Sequence, residues 1–275
     1  MSKEKMFNCE QKDYIINRLK ALGAADVGFC LADRMERIPC RAEQRIPAGA
    51  KVLIVAVFGY YSGEYPGRNV AKYAIPNDYH KIIGDLLKEA VADFEEHFPN
   101  RQFAGFCDVS PFNETQAAQL AGLGVVGKNG LLINKETGLY HFIGEIATTM
   151  ELEPSEPSEG ECLGCGRCTA ACPTGAIGAA DKQGCLSAVT QRKGELTAEE
   201  QKLMRKTGTV WGCDICIDVC PMNGKRLTEI AAFKEELLPV LEQENVKDAL
   251  KKKAWGYRGI SVIKRNLAAV YGEEK

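Results

Sequence analysis

The sequence predicts an α+β chain in three stretches: a mixed domain over residues 1–150, a compact cysteine module over 151–225 and a short helical tail over 226–275. Three observations carry this. Lys51 to Phe58 (KVLIVAVF) is β-rich and apolar nearly throughout, as befits a central strand buried on both faces. Asp78 to Phe98 sets Ile82, Ile83, Leu86, Leu87, Val91 and Phe94 on one face among charged residues, the longest helical signal in the chain. Eight of the 12 cysteines lie between Cys162 and Pro221.

In chain order, Asp13 to Leu22 carries Ile15, Ile16, Leu19 and Leu22 at helical spacing with Gly23 as a stop, and a strand follows at Ala25 to Leu31. After the strand and long helix above, a short strand, Gln102 to Cys107, ends at Asp108, and Asn113 to Leu120 reads as a helix with Asn113 as its N-cap. Two β-like segments, Gly130 to Asn134 and Leu139 to Thr148, are joined by a Lys135 to Gly138 turn. Glutamates, prolines and serines make an acidic linker from Glu151 to Glu161. Beyond the cysteines, Leu227 to Leu241 and Ile260 to Tyr271 read as helices.

A length of 275 residues suits about two domains and is too long for a bare electron carrier. Net charge is −2, so no global basic field draws nucleic acid. The polar start from Met1 to Tyr14 and the short apolar run Val52 to Tyr61 predict no membrane partner and a cytoplasmic location. The tail is locally basic, with Lys247, Lys251, Lys252, Lys253, Arg258, Lys264 and Arg265. It reads as a solvated helical face or as a patch for phosphates.

The cysteines follow a rule. Cys162, Cys165, Cys168 and Cys172 are spaced by two, two and three residues before Pro173, the bacterial ferredoxin run whose fourth cysteine ligates the other [4Fe-4S] cluster. A second run, Cys213, Cys216, Cys220, Pro221, has Val210 where its first cysteine should stand, and Cys185 is the replacement. Exchange gives two quartets: Cys162, Cys165, Cys168 with Cys220, and Cys213, Cys216, Cys185 with Cys172. Structural zinc has no use for a third closely spaced cysteine, and disulfides need an oxidising compartment that nothing here indicates. Gly164, Gly166, Thr169, Ala170, Ala171 and Gly175 let backbone N–H groups approach the sulfides. Cys9, Cys30, Cys40 and Cys107 read as structural thiols.

Gly122, Gly124 and Gly127 spell G-x-G-x-x-G, and with Lys128 most of a P-loop. Both motifs need a strand before and a helix after; here the order is reversed and Asn129 replaces the P-loop Ser/Thr. The glycines therefore mean close backbone approach to something other than a nucleotide.

Several blocks together resemble the epoxyqueuosine reductase family: Lys72-Tyr73-Ala74 with Asp78-Tyr79-His80; Asp108 with Pro111 and Glu114; AGLGVVGKNGLLIN from Ala121; FIGEI from Phe142; and the cysteine module with lone Cys185 and the Gly212-Cys213-Asp214 turn. The resemblance runs from about Gly49 to Asn223, with a weaker echo in YRGISVIKRNLAAVYG. It implies a cobalamin-dependent reductase with two [4Fe-4S] clusters: a nitroreductase-like corrinoid-binding domain fed by a ferredoxin-like module. On that pattern Gly127, Lys128, Asn129, Gly130 and Leu132, with Ile143, meet the corrinoid largely through backbone groups. Asp108 is the proton donor, and His80 lies on the substrate side. A low-potential donor of ferredoxin or flavodoxin type would supply electrons, and tRNA is the substrate.

The chemistry agrees. Removing an epoxide oxygen needs low-potential electrons and a proton for the departing oxygen. A carboxylic acid supplies that proton only if its pKa is raised, so Asp108 is expected against an apolar wall. The plainer reading makes it a strand-end aspartate capping the next helix, and His80 at a helix start a packed histidine. Two departures stand out. Thr115 occupies a position where the family pattern carries arginine, and long members continue into helical repeats whereas this sequence stops at Lys275. The alternative function is therefore an electron-transfer or corrinoid-activating protein, or a reductase of another small electrophile.

Overall fold

The computed structural model describes residues 3–179 and 184–272. A helix, α1 (Lys3–Ala21), longer at its start than the apolar spacing indicates, leads into β1 (Asp26–Leu31) and β2 (Val52–Gly59). Then follow α2 (Tyr79–His97), β3 (Phe103–Cys107), α3 (Glu114–Leu120), β4 (Val125–Val126), β5 (Leu132–Ile133) and β6 (His141–Thr148). The main sheet has the order β1-β2-β6-β3, antiparallel throughout.

Every residue of β2 is buried, and its alternation explains why. Ile54, Ala56 and Phe58 enter a core with Ile15 and Leu19 of α1 and Ile83 and Leu87 of α2. Leu53, Val55 and Val57 enter the opposite core with Ala117 and Ala118 of α3. Successive strand side chains point to opposite faces, so a strand covered by helices on both sides must be apolar at every position. At about 1.5–3 kcal/mol for each large side chain buried, β2 is the main adhesive of this half.

The second half is built around the cysteines: α4 (Arg167–Ala171), α5 (Leu186–Gln191), α6 (Ala198–Thr207), α7 (Ile215–Asp218), α8 (Gln243–Ala249) and α9 (Ile260–Tyr271). A third core collects Val70 and Ile75, then Leu186, Val189, Met204 and Trp211, then Leu241, Trp255, Ile263 and Leu267. All three stretches of sequence thus contribute to it. Val210, at the position of the missing cysteine, is fully buried there.

Two sequence expectations are corrected. The segment before the Lys135 to Gly138 turn does not form a hairpin with β6: Leu132 and Ile133 pair backwards with Val126 and Val125. β6 already has β2 and β3 as partners. Asn134 instead closes the turn locally, its side-chain oxygen accepting from Glu136 and Thr137 N–H groups. Nor is Leu227 to Leu241 an α-helix. Only Ala231–Lys234 turns helically, as a short 3₁₀ piece; Glu236 has a positive φ of 46°, and Pro239 bars a helix across the remainder. The stretch is a strap, pinned into the first core by Ile230 and Phe233 and into the third by Leu241.

Candidate active site and cluster centres

β3 ends at Cys107, opposite Gly144 of β6. The next residue, Asp108, leaves the sheet with φ 63°, in the left-handed region that aspartate tolerates better than most residues. Its backbone N–H donates to Glu114 Oε1 at 2.7 Å, a latch from the first residue of α3. Asp108 does not cap that helix; Asn113 does, accepting from Gln116 N–H. The Asp108 side chain turns instead to His80, with Oδ2 3.0 Å from Nε2. His80 is the second residue of α2, and its Nδ1 lies 2.7 Å from Asp78, the N-cap of that helix. Tyr79 stacks between Phe142 and His80, with ring centroids 4.0 Å from each.

The electrostatics correct one expectation. The hydrogen bond from His80 holds Asp108 below the usual carboxylate range, and burial, which works the other way, does not overcome it. Burial disfavours the imidazolium, yet hydrogen bonds to Asp108 and Asp78 carry His80 up to about 9. The mobile proton of this pair therefore resides on His80. Raised carboxyls do exist one layer deeper: burial pushes Glu114 up to about 7 and Glu145 up to about 8. Glu145 Oε2 accepts from the Ser110 hydroxyl, and its Oε1 is buried without a partner. Sequence reasoning passed over Glu145, although a charged residue inside the apolar strand FIGEI was its signal.

The glycine segment is a hairpin tip between β4 and β5, where Gly130 has φ 78° and donates to the Gly127 carbonyl. Each glycine of the false nucleotide motif makes room for this chain itself. A Cβ at Gly122 would meet the Glu156 carbonyl, one at Gly124 the Ile133 carbonyl, and one at Gly127 the Asn129 side chain. Leu132 turns its side chain into the same core that Ile143 packs against, leaving only its backbone for a ligand. Ile143 itself lies one residue beyond the last β3–β6 pair, beside the point where Asp108 departs.

Cys162, Cys165, Cys168 and Cys220 line one pocket, together with Gly127, Lys128 and Asn129. The other four gather as well. Burial pushes Cys213 up to about 11, and the charges of Cys185 and Cys172 add to it. Burial likewise raises Cys216 to about 12, with Cys213 and Cys185 adding and a hydrogen bond from the Asn129 side chain opposing. Asn129 thus touches both quartets. Among the described residues, no group of three or more His, Cys, Asp or Glu is arranged to hold a single metal ion. Four cysteines around a cavity suit a cube better than mononuclear zinc. Backbone N–H groups of Gly164 and Lys128 hydrogen-bond Cys162 and lower its pKa, the kind of contact that stabilises cluster thiolates.

A buried ion network ties the two halves together. Lys72, with its side chain only 4% exposed, bridges to Asp218 at 2.8 Å, and its backbone N–H donates to Asp214. Arg68 pairs with both aspartates at 3.2 and 2.7 Å. Of the basic tail, Lys253 is buried and donates to the Ile75 and Glu236 carbonyls. Arg265 donates to the Arg192 and Gly194 carbonyls. These two cations are structural rather than solvated.

A family profile described as "Epoxyqueuosine reductase QueG, DUF1730" matches residues 41–109, and one described as "4Fe-4S double cluster binding domain" matches 161–223. The epoxyqueuosine reductase of Gloeobacter violaceus is 32% identical over 254 residues, covering 80% of each chain. The chain belongs to the epoxyqueuosine reductase family. The Synechocystis epoxyqueuosine reductase is 36% identical over 201 residues, 68% of each chain, whereas the chain spans 63% of the Lactococcus garvieae relative. The structure of epoxyqueuosine reductase from Streptococcus thermophilus matches with a TM-score of 0.77 at 26% identity, covering 94% of this chain and 80% of that one. An epoxyqueuosine reductase crystallised with an epoxyqueuosine-modified tRNA-Tyr stem loop shares the fold, with a TM-score of 0.82 at 24% identity. Like its relatives, this epoxyqueuosine reductase family member is an oxidoreductase, a mixed helix-and-sheet protein with a double-cluster domain. None of its described helices is long and apolar enough to cross a membrane.

Proposed function

We propose that this chain reduces epoxyqueuosine in tRNA to queuosine, using cobalamin and two [4Fe-4S] clusters. The observation that carries this reading is the Asp78–His80–Asp108 relay at the end of β3, in a chain whose glycine hairpin tip lines a cluster cavity. The residues present fit a corrinoid. β3 is an edge strand, and a groove of about 620 Å³ runs along it from Phe103 to Val109 and reaches His80, with Arg45 donating to the Gly105 carbonyl on this edge. Gly84, Ala92, Ala104 and Gly105 line this groove with little side-chain bulk, and Val109 is 57% exposed. A flat ring rimmed by amides needs such a surface. The Gly127 to Leu132 backbone and Ile143 are the proposed corrinoid contacts from the family resemblance, and we assign residues 1–150 a nitroreductase-like architecture for this purpose.

When bound, cobalamin supplies a strongly reducing metal centre and the clusters supply its electrons. The protein's own part is the proton. Converting an epoxide to an alkene and water takes two electrons and two protons, and the carbon–oxygen bond cannot break cleanly while its oxygen stays anionic. Asp108 Oδ2 faces His80 Nε2, so the imidazolium can pass its proton to the Asp108 carboxylate, which hands it on to the departing oxygen and leaves His80 neutral. Asp78 holds Nδ1 and keeps the ring oriented. Glu114 fixes the Asp108 backbone, and Tyr79 with Phe142 excludes water from one side. The proposed electron donor is of ferredoxin or flavodoxin type. The deciding experiment is anaerobic reconstitution with iron, sulfide and corrinoid, followed by an assay on tRNA carrying epoxyqueuosine. Absence of queuosine while bound cobalamin is still reduced would transfer support to a corrinoid-activating role.

A further inference from the structure

The reacting group of the proposed substrate is one nucleoside in an RNA loop, so the nucleotides beside it must rest on something at the rim of the site. Tyr257 stands there. It belongs to a 3₁₀ turn, Ala254–Arg258, whose neighbour Trp255 is fully buried and anchors it. Its ring lies 6.5 Å from the His80 ring and meets Trp211 edge-on at 6.1 Å. The hydroxyl donates to Gln191 at 3.0 Å. These contacts fix the ring, and yet Tyr257 remains 58% exposed. One exposed aromatic is ordinary by itself; what sets this ring apart is that it is held by Trp211 and Gln191 beside the His80 ring.

Cations lie nearby, among them Lys252, which pairs with Glu236 at 2.8 Å. The Arg258 guanidinium lies over the Tyr257 ring at 4.7 Å, and its Nε is buried without a hydrogen-bond partner. The Lys252 carbonyl accepts from the Asp78 N–H, which brings the exposed stretch Lys251–Lys252 to the start of the same helix that presents His80. An aromatic face with a guanidinium over it and lysines nearby is the arrangement on which unpaired nucleobases stack while their phosphates are neutralised. A purely structural tyrosine would bury its ring and hydrogen-bond its hydroxyl; this one does only the second.

We infer that Tyr257, supported by Arg258, is a stacking platform for an unpaired nucleobase flanking the reacting nucleoside in a single-stranded RNA loop. This rests on the function proposed above and adds the element that reads the neighbouring nucleotide. It assigns the rim a sequence-tolerant role, since every base has a face to stack.

The test uses the full-length reconstituted protein and a fluorescently labelled anticodon stem-loop RNA, with the dissociation constant read by anisotropy. Tyr257→Ala is expected to weaken binding by about 5- to 150-fold, the weight of one base–aromatic stack. Tyr257→Phe should bind like the wild type, because the ring and not the hydroxyl does the stacking. Iron and corrinoid contents of both variants should match the wild type, as a check on folding. The same stem-loops with an abasic residue on either side of the reacting nucleoside complete the test. On one of them the wild type should fall to the affinity of Tyr257→Ala, and Tyr257→Ala should lose nothing further. Equal affinity of wild type and Tyr257→Ala for the intact loop, or losses that simply add, overturns the inference and leaves the proposed function standing. If the wild type binds no stem-loop at all, the proposed RNA substrate fails and the platform fails with it.

Discussion

His80 and Asp108 form a pair in which neither group can be understood alone. An aspartate hydrogen-bonded by an imidazolium stays ionised, so the acid of this site is the couple, with its proton stored on nitrogen. Asp108→Asn keeps the size but cannot pass a proton, and turnover should drop by about 10²- to 10⁴-fold, the weight of one acid–base group. Iron content, corrinoid content and reduction of bound cobalamin should not change, because the proton enters only after the electrons. Wild-type turnover in that variant would remove Asp108 from the chemistry. The pH profile adds a second check. His80 is raised to about 9, so its proton is available below that value and turnover should fall as pH rises through it. In Asp108→Asn that limb should move to lower pH, since a principal cause of the raised value is gone. A profile whose limb stays in place would exclude His80 as the reservoir. Any stability from this pair is full below the unfolded histidine value near 6.5 and gone above about 9, and it is small, since the side chains are 35% and 50% exposed. Glu145 follows the same sign from a different cause, burial rather than a charged partner. With a folded value of about 8 against an unfolded value near 4.3, it keeps a proton that the unfolded chain gives up. Its contribution to stability is therefore lost as pH rises between those values. Glu145→Gln should narrow the difference in melting temperature between pH 5 and pH 8, and an unchanged difference would show that Glu145 does not titrate there. Asp108 and His80 were legible from their motifs. That they meet was not, because 28 residues separate them in sequence and only the end of β3 brings them together.

At the scale of elements, the hairpin tip from Gly127 to Leu131 lines a cluster pocket and is the proposed corrinoid contact. Its shape depends on Gly130 at φ 78°, where a β-branched side chain is strained by about 1–2 kcal/mol. Gly130→Val should abolish cobalamin binding in an ultraviolet-visible titration while leaving iron content intact. Unchanged cobalamin affinity would sink the proposed contact. The sequence made the strands and α2 plain, because period and burial coincide there: β2 is apolar at every residue and α2 carries one clean stripe. It misread the two segments whose pattern is ambiguous. β5 is two residues long, too short for its alternation to name a partner, and only the tertiary claim of β2 and β3 on β6 decides it. Leu227 to Leu241 has enough apolar residues for a helix, but it spends them on two separate cores, which an extended strap reaches and a helix does not.

For the whole molecule, the cysteine spacing was the most legible feature: Cys162, Cys165, Cys168 and Cys220 line one pocket, and the charges of Cys172 and Cys185 act on Cys213. Cys185→Ser should leave about four irons per chain instead of about eight, the content of one cube instead of two. Full iron content with both electron paramagnetic resonance signals in that variant would overturn the pairing. What spacing did not reveal is how the three stretches share a core. The third core takes Val70 and Ile75 from the first, α5 and α6 from the second, and Trp255 with α9 from the last. This sets an order of events during synthesis. The first two cores draw on residues up to Phe233 and close early, while the third waits until α9 has left the ribosome. A chain whose last helix has not yet emerged therefore lacks the wall that α9 supplies to the third core by packing on α6.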